Sequence, residues 1–248
     1  MHASPLVIVG IGGSGTRVFA RLAAASGRNM GGPQNDSNDA LALYGVADRW
    51  CEPVYRAWRS DAPFPDQKAF EADLASNVEY HRRGELSSVP WGWKQPRSIH
   101  LLPALEAAYP GDLRVLHVVR DGRDVAFGND IHLRLTGSYS IPTESRNEPA
   151  PVQLAHLWAT ANSLAADFGE RVLGERYLRV SLEDLCDDTD RTGERIVAFI
   201  GGNAPPKRIR EIVDRPASIG RWLDADPEAA ATVVEALGDA LPRFGYRD

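Results

Sequence analysis

From Leu6 to Ala23 the sequence passes from a β-branched apolar run, Leu6–Val9, through Gly10-Ile11-Gly12-Gly13-Ser14-Gly15-Thr16-Arg17 into apolar residues at helical spacing, Val18, Phe19, Leu22 and Ala23. A short run of this kind suits a strand buried on both faces of a parallel sheet. The glycines let the chain turn tightly, so the segment reads as strand, loop and helix. Backbone N–H groups in such a loop and the positive end of the following helix both face the same point. That point is a ready anion site. The Ser14 and Thr16 hydroxyls add donors, and Arg17 adds a full charge if its side chain turns back toward the loop.

Three ligand readings compete at this loop. Gly10, Gly12 and Gly15 satisfy the dinucleotide fingerprint, which also requires a second strand ending in an acidic residue about 20 positions on. The region Gly31–Asp39 is Gly-Gly-Pro-Gln-Asn-Asp-Ser-Asn-Asp, which is no strand. The loop also has the spacing of an ATP-binding phosphate loop, but Thr16 stands where that loop needs its lysine. The third reading is a loop for a phosphosulfate group. The bland alternative is a tight turn packed on its helix.

Further apolar runs at Val115–Val119 and Tyr177–Val180, and a shorter one at Trp91–Lys94, predict three more strands. Helical spacing follows Pro103 (Leu105, Ala108, Tyr109), Asp121 and Pro151 (Leu154, Leu157, Trp158, Ala161, Leu164, Phe168). It also precedes Gly201-Gly202, through Ile196, Val197 and Ile200. Strands alternating with helices predict an α/β fold, a phosphate-loop-like parallel sheet flanked by helices. The 248 residues suit one domain spanning residues 1–248. Gly31–Asn38 and Ser138–Pro149 read as loops.

A second anion motif follows the Val115–Val119 strand: Arg120-Asp121-Gly122-Arg123-Asp124-Val125-Ala126. Arg120 falls at the strand's carboxyl end, where open α/β sheets bind ligands. A guanidinium there grips a phosphate with two parallel hydrogen bonds. The competing reading is an Asp–Arg ion-pair network capping a helix.

The loop Ser14-Gly15-Thr16, the strand ending in Arg120-Asp-Gly-Arg-Asp-Val-Ala126, the segment Tyr177–Leu185, the element Lys94-Gln-Pro-Arg97 and Gly220-Arg221-Trp222 occur in the order found in sulfotransferases that use 3′-phosphoadenosine 5′-phosphosulfate (PAPS). The chain resembles that family, in its bacterial form. The resemblance implies that Gly12, Gly13, Ser14, Gly15, Thr16 and Arg17 hold the 5′-phosphosulfate and that Arg120 holds the 3′-phosphate. It implies PAPS as co-substrate, 3′-phosphoadenosine 5′-phosphate (PAP) as product, and a small-molecule or glycan acceptor. Two positions depart from the family pattern. Gly13 stands where the family has Lys or Arg, and Gly128 stands where it has Ser.

Sulfuryl transfer needs the attacking and leaving oxygens in line, a cation on the transferring group, and a base for the acceptor proton. Lys94, fixed by Pro96 just after it, is the candidate cation; the alternative is a surface lysine. Asp39 and Asp36 are the candidate bases; the alternative is helix capping by Asp36 or Ser37, with Asp39 in the first turn. His100 and His132 are further candidates, and His117 reads as a packed strand residue. Trp50, Tyr55, Trp58, Trp91 and Trp93 are available for an acceptor pocket, or for core in the case of Trp50 and Trp58.

The net charge of −6 argues against a nucleic-acid binder and makes any anion site local. Two distant cysteines and six scattered histidines give no metal-ligand spacing. Nothing approaches the ~18 apolar residues of a membrane span, so no membrane partner and a cytoplasmic location are expected. Two other functions stay open: a catalytically silent nucleotide- or anion-binding module of the same fold, and a kinase-like enzyme.

Overall fold

The computed structural model describes residues 4–83, 89–128, 138–141 and 145–247. The loop expected at Ser138–Pro149 lies partly outside them, and His132 lies wholly outside. Strands β1 (Leu6–Gly10), β2 (Gly92–Lys94), β3 (Arg114–Val119) and β4 (Tyr177–Ser181) form one parallel sheet in the order β2-β1-β3-β4. All four apolar runs read from the sequence are therefore strands.

Helices cover both faces. They are α1 (Thr16–Ala25), α2 (Tyr44–Arg59), α3 (Gln67–Arg82), α4 (Leu102–Ala108), α5 (Gly122–Ala126), α6 (Ala150–Phe168), α7 (Leu182–Asp187), α8 (Thr189–Ile200), α9 (Pro206–Ile212), α10 (Pro227–Leu237) and α11 (Ala240–Arg243). Alternate residues of each central strand serve opposite layers, as the two-residue period of a strand requires. Val7, Val9, Val115 and Val119 join a core with α2, α3, α4, α6 and α10. Leu6, Ile8, Leu116 and Val118 join a second core with α1, α8 and α9. Burial of each such Leu, Ile or Val side chain contributes about 1.5–3 kcal/mol, so both layers hold the sheet.

Register decides where the site lies. Ile8 pairs with Lys94, Gly10 with Val118, and Val119 with Ser181. Lys94, Gly10, Arg120 and Leu182 thus emerge at one carboxyl edge. The chain goes from β1 out to β2 and then returns to β3 on β1's other side. That reversal opens the crevice in which α/β sheets bind ligands.

Candidate active site

The glycine loop joins β1 to α1. Gly10 lies so close to β3 that a β-carbon on it would stand 2.5 Å from the Val118 carbonyl oxygen. Gly15 caps α1 with φ 79°, a left-handed conformation that other residues rarely adopt. No side chain caps α1, and no acidic residue lies in its first turn. Its leading N–H groups and its positive dipole end are therefore open to an anion. The Ser14 hydroxyl is fully buried without a hydrogen-bond partner beneath the loop, and its backbone N–H donates to Ile11 at 3.0 Å.

In front of this loop is a cavity of about 460 Å³, within the range of small-molecule sites. Gly12, Gly13, Gly15, Thr16, Arg17, Lys94 and Arg120 line it, as does Asp39. Most of the residues singled out from the sequence are thus brought to one place. Arg21, Arg221 and Asp214 also line it, so the wall carries five cationic side chains against two carboxylates. The wall is thus locally cationic on a chain whose net charge is −6. Leu182, Ile212 and Pro216 give it an apolar flank. Ser14 is fully buried and does not line it. Asp36 is exposed and does not line the cavity, so of the two candidate bases the structure brings only Asp39 to the site.

Lys94 is 2% exposed, not a surface lysine, and it is salt-bridged to Asp39 Oδ1. Burial lowers its pKa and the nearby Arg17 lowers it further, while the hydrogen bond and charge of Asp39 pull it back up. Asp39 caps no helix. Its Oδ2 accepts from Asn35 Nδ2 and from the Tyr44 hydroxyl, both at 3.0 Å. Burial, then the carboxylate of Asp39, push the Tyr44 hydroxyl up to about 12, so it remains a donor. Arg17 turns toward the same loop and donates to Ser37 Oγ at 3.2 Å.

Arg120 both lines the cavity and belongs to an ion-pair network. Its Nη2 donates to Asp124 Oδ2 and Ser218 Oγ, each at 3.1 Å, and to the Ser218 carbonyl; its Nη1 donates to the Gly13 carbonyl at 3.3 Å. Its Nε is buried with no partner. Asp121 caps α5 by accepting from the Arg123 N–H at 2.9 Å and also pairs with the Arg123 guanidinium. Asp124 accepts from the backbone N–H groups of Gly220 at 2.8 Å and Trp222 at 3.2 Å, and the guanidinium of Arg123 lies 4.0 Å from the Trp222 ring centre. These bonds dock the Gly220-Arg221-Trp222 segment on α5 and place Arg221 beside Arg120. Burial and the charge of Arg120 lower the Arg221 pKa, opposed by Asp124. Two neighbouring guanidinium groups on one wall suit an anionic ligand.

The remaining candidates lie elsewhere. His100 is buried against Tyr55 and Tyr139, and burial takes its pKa down to about 3. His117 is a buried strand residue between Tyr177 Oη and Asn162 Oδ1, with a pKa of about 4, again from burial. Trp50, Tyr55, Trp91 and Trp93 are buried in the core and Trp58 packs against it, so none of the five walls the cavity. Among the described residues, no helix is long and apolar enough to cross a membrane.

The fold is shared with proteins of known structure. A sulfotransferase from Mycobacterium avium superposes with a TM-score of 0.57 at 17% identity, covering 100% of this chain and 78% of its own. The sulfotransferase domain of the Synechococcus PCC 7002 olefin synthase gives 0.55 at 18% identity, covering 100% and 97%. Retinol dehydratase in complex with androsterone and the inactive cofactor PAP gives 0.52 at 15% identity, covering 100% and 83%. A search of curated protein sequences finds no match. The model of the sulfotransferase family matches residues 5–206, which carry the glycine loop, Lys94 and Arg120, and the chain belongs to that family.

Proposed function

We propose that this chain moves a sulfuryl group from PAPS to a hydroxyl or amine of a small-molecule or glycan acceptor. The observation that carries the reading is that one cavity holds two separate anion-binding features, the uncapped N-terminus of α1 and the Arg120–Arg221 pair, with Arg17 and Lys94 also on its wall. Two separated phosphates on one nucleotide fit that arrangement. The unpartnered Nε of Arg120 is a donor still to be used.

In this reading the glycine loop and α1 hold the 5′-phosphosulfate, and Arg120 and Arg221 hold the 3′-phosphate. Gly13 leaves the loop without its own cation, and Arg17 and Lys94 supply that charge from neighbouring elements. A β-carbon on Gly128 would lie 3.5 Å from Arg221 Nη1, so the guanidinium stands beside the position where the family has a serine. The acceptor oxygen or nitrogen bonds to sulfur as the bond from sulfur to the bridging phosphate oxygen breaks. The electron pair leaves with PAP, and the acceptor proton passes to Asp39.

The test is thermal unfolding with PAP, ATP and NAD at matched concentrations. PAP at 100 times its dissociation constant stabilises by about 2.7 kcal/mol. PAP is expected to shift the midpoint most; an equal or larger shift with NAD or ATP overturns the donor assignment.

A further inference from the structure

Asp39, the group placed to take the acceptor proton, has both oxygens engaged. Asn35 and Tyr44 donate to Oδ2, and Lys94 is salt-bridged to Oδ1. Lys94 is meanwhile one of the two cations that the sulfuryl group requires. One side chain therefore serves two partners on the same cavity wall. Resting on the PAPS reading above, we propose that binding of the sulfuryl group draws the Lys94 ammonium from Asp39 to the donor, and that Asp39 gains a free oxygen for the acceptor only then.

The surroundings favour such a handover. The groups facing the pair are Tyr44 from α2, Asn35 from its own loop and Arg17 from α1. Arg17 and burial both disfavour the charge on Lys94, so the ammonium rests on a single carboxylate and has every reason to accept sulfuryl oxygens. Asp39 keeps its place when the lysine leaves. Its Oδ2 bonds remain, its backbone N–H donates to Asn35 Oδ1 at 2.9 Å, and the Ala40 N–H donates to the Lys94 carbonyl at 2.8 Å. That last bond ties β2 to the acidic loop, so only the lysine side chain has to swing. The consequence is order: the base is uncovered only when the donor is in place.

Calorimetric titration of wild type, Asp39→Asn and Asp39→Ala with PAPS and with PAP tests this. Removing Asp39 also removes what favours the Lys94 charge, so the titrations are run at about pH 6, far below the ordinary lysine value. Freeing Lys94 in advance then removes the fraction of molecules in which it is occupied, and PAPS affinity rises on the order of tenfold while PAP affinity stays constant. Turnover falls in both variants. Unchanged or weaker PAPS binding with PAP binding intact overturns the handover. On wild type, the Lys94 ammonium resonance is expected to move with PAPS and not with PAP, a readout that needs no variant; identical spectra overturn the proposal. If wild type binds neither nucleotide, the donor assignment itself falls.

Discussion

Asp124 holds Arg120 at 3.1 Å in an ion pair whose side chains are 1% and 5% exposed. The same carboxylate takes the Gly220 and Trp222 N–H groups, so one aspartate sets both the aim of Arg120 and the position of Arg221.

Asp124→Asn keeps the volume but strips Arg120 of its counter-charge. Breaking a buried pair on one side costs about 3–5 kcal/mol, because the remaining charge stays buried and unpaired. Urea unfolding is expected to show a loss of that order. The double variant Asp124→Asn/Arg120→Met is expected to lose less than the sum of the two singles, since no orphaned charge is left. Additive losses refute the coupling.

Arg120→Ala separates ligand recognition from stability. It is expected to weaken PAP by about 1.5–3 kcal/mol, the scale of a charge-assisted hydrogen bond, and to weaken adenosine 5′-phosphosulfate, which lacks the 3′-phosphate, much less. Equal losses for both ligands make Arg120 a purely structural residue.

Lys94→Met keeps the aliphatic stem and removes the ammonium. Single-turnover transfer is expected to fall at least a hundredfold, roughly the loss of one preorganised donor, while PAP affinity changes little. Charge on the transferring group is present in PAPS and its transition state and absent from PAP. Wild-type turnover in this variant removes Lys94 from the chemistry.

His100 and His117 predict acid lability. Burial holds their folded values near 3 and 4, below the ordinary 6.5. Between those values the unfolded chain binds protons that the folded chain refuses, so unfolding free energy drops as pH falls below about 6.5. Each histidine contributes a slope approaching about 1.4 kcal/mol per pH unit in its window. Chemical denaturation at pH 7 and pH 5 is expected to show the drop. His117→Gln, which retains polar partners for Tyr177 and Asn162, is expected to be less pH-sensitive than wild type; an unchanged difference between the two pH values refutes the assignment.

The two central strands were legible because residues buried on both faces are mostly apolar: Leu6–Val9 is apolar throughout, and Val115–Val119 is interrupted only by His117. The glycine loop was legible because Gly10 and Gly15 meet steric demands no other residue satisfies. Asp39 was ambiguous: an acidic loop before a helix looks like a cap, and only the arrival of Lys94 from β2 shows the carboxylate turned inward. The aromatic residues misled for a related reason. Trp91 and Trp93 lie next to Lys94 in sequence, but strand alternation turns them into the core and neither lines the cavity. Arg221 was named within a motif without a role. Its place depends on backbone N–H groups docking on Asp124, and backbone bonds between residues 96 and 98 positions apart leave no periodic trace in a sequence.

That docking has a consequence for biosynthesis. The segment carrying Arg221 lies beyond the stretch matched by the family model, which ends at residue 206. At about 5–20 residues per second, Arg221 follows Arg120 out of the ribosome's catalytic centre by roughly 5–20 seconds. Through that interval the nascent chain carries the glycine loop and Arg120 but not Arg221, and β4 is added only about midway through it. The cationic pair on the cavity wall is therefore completed well after its first member is made.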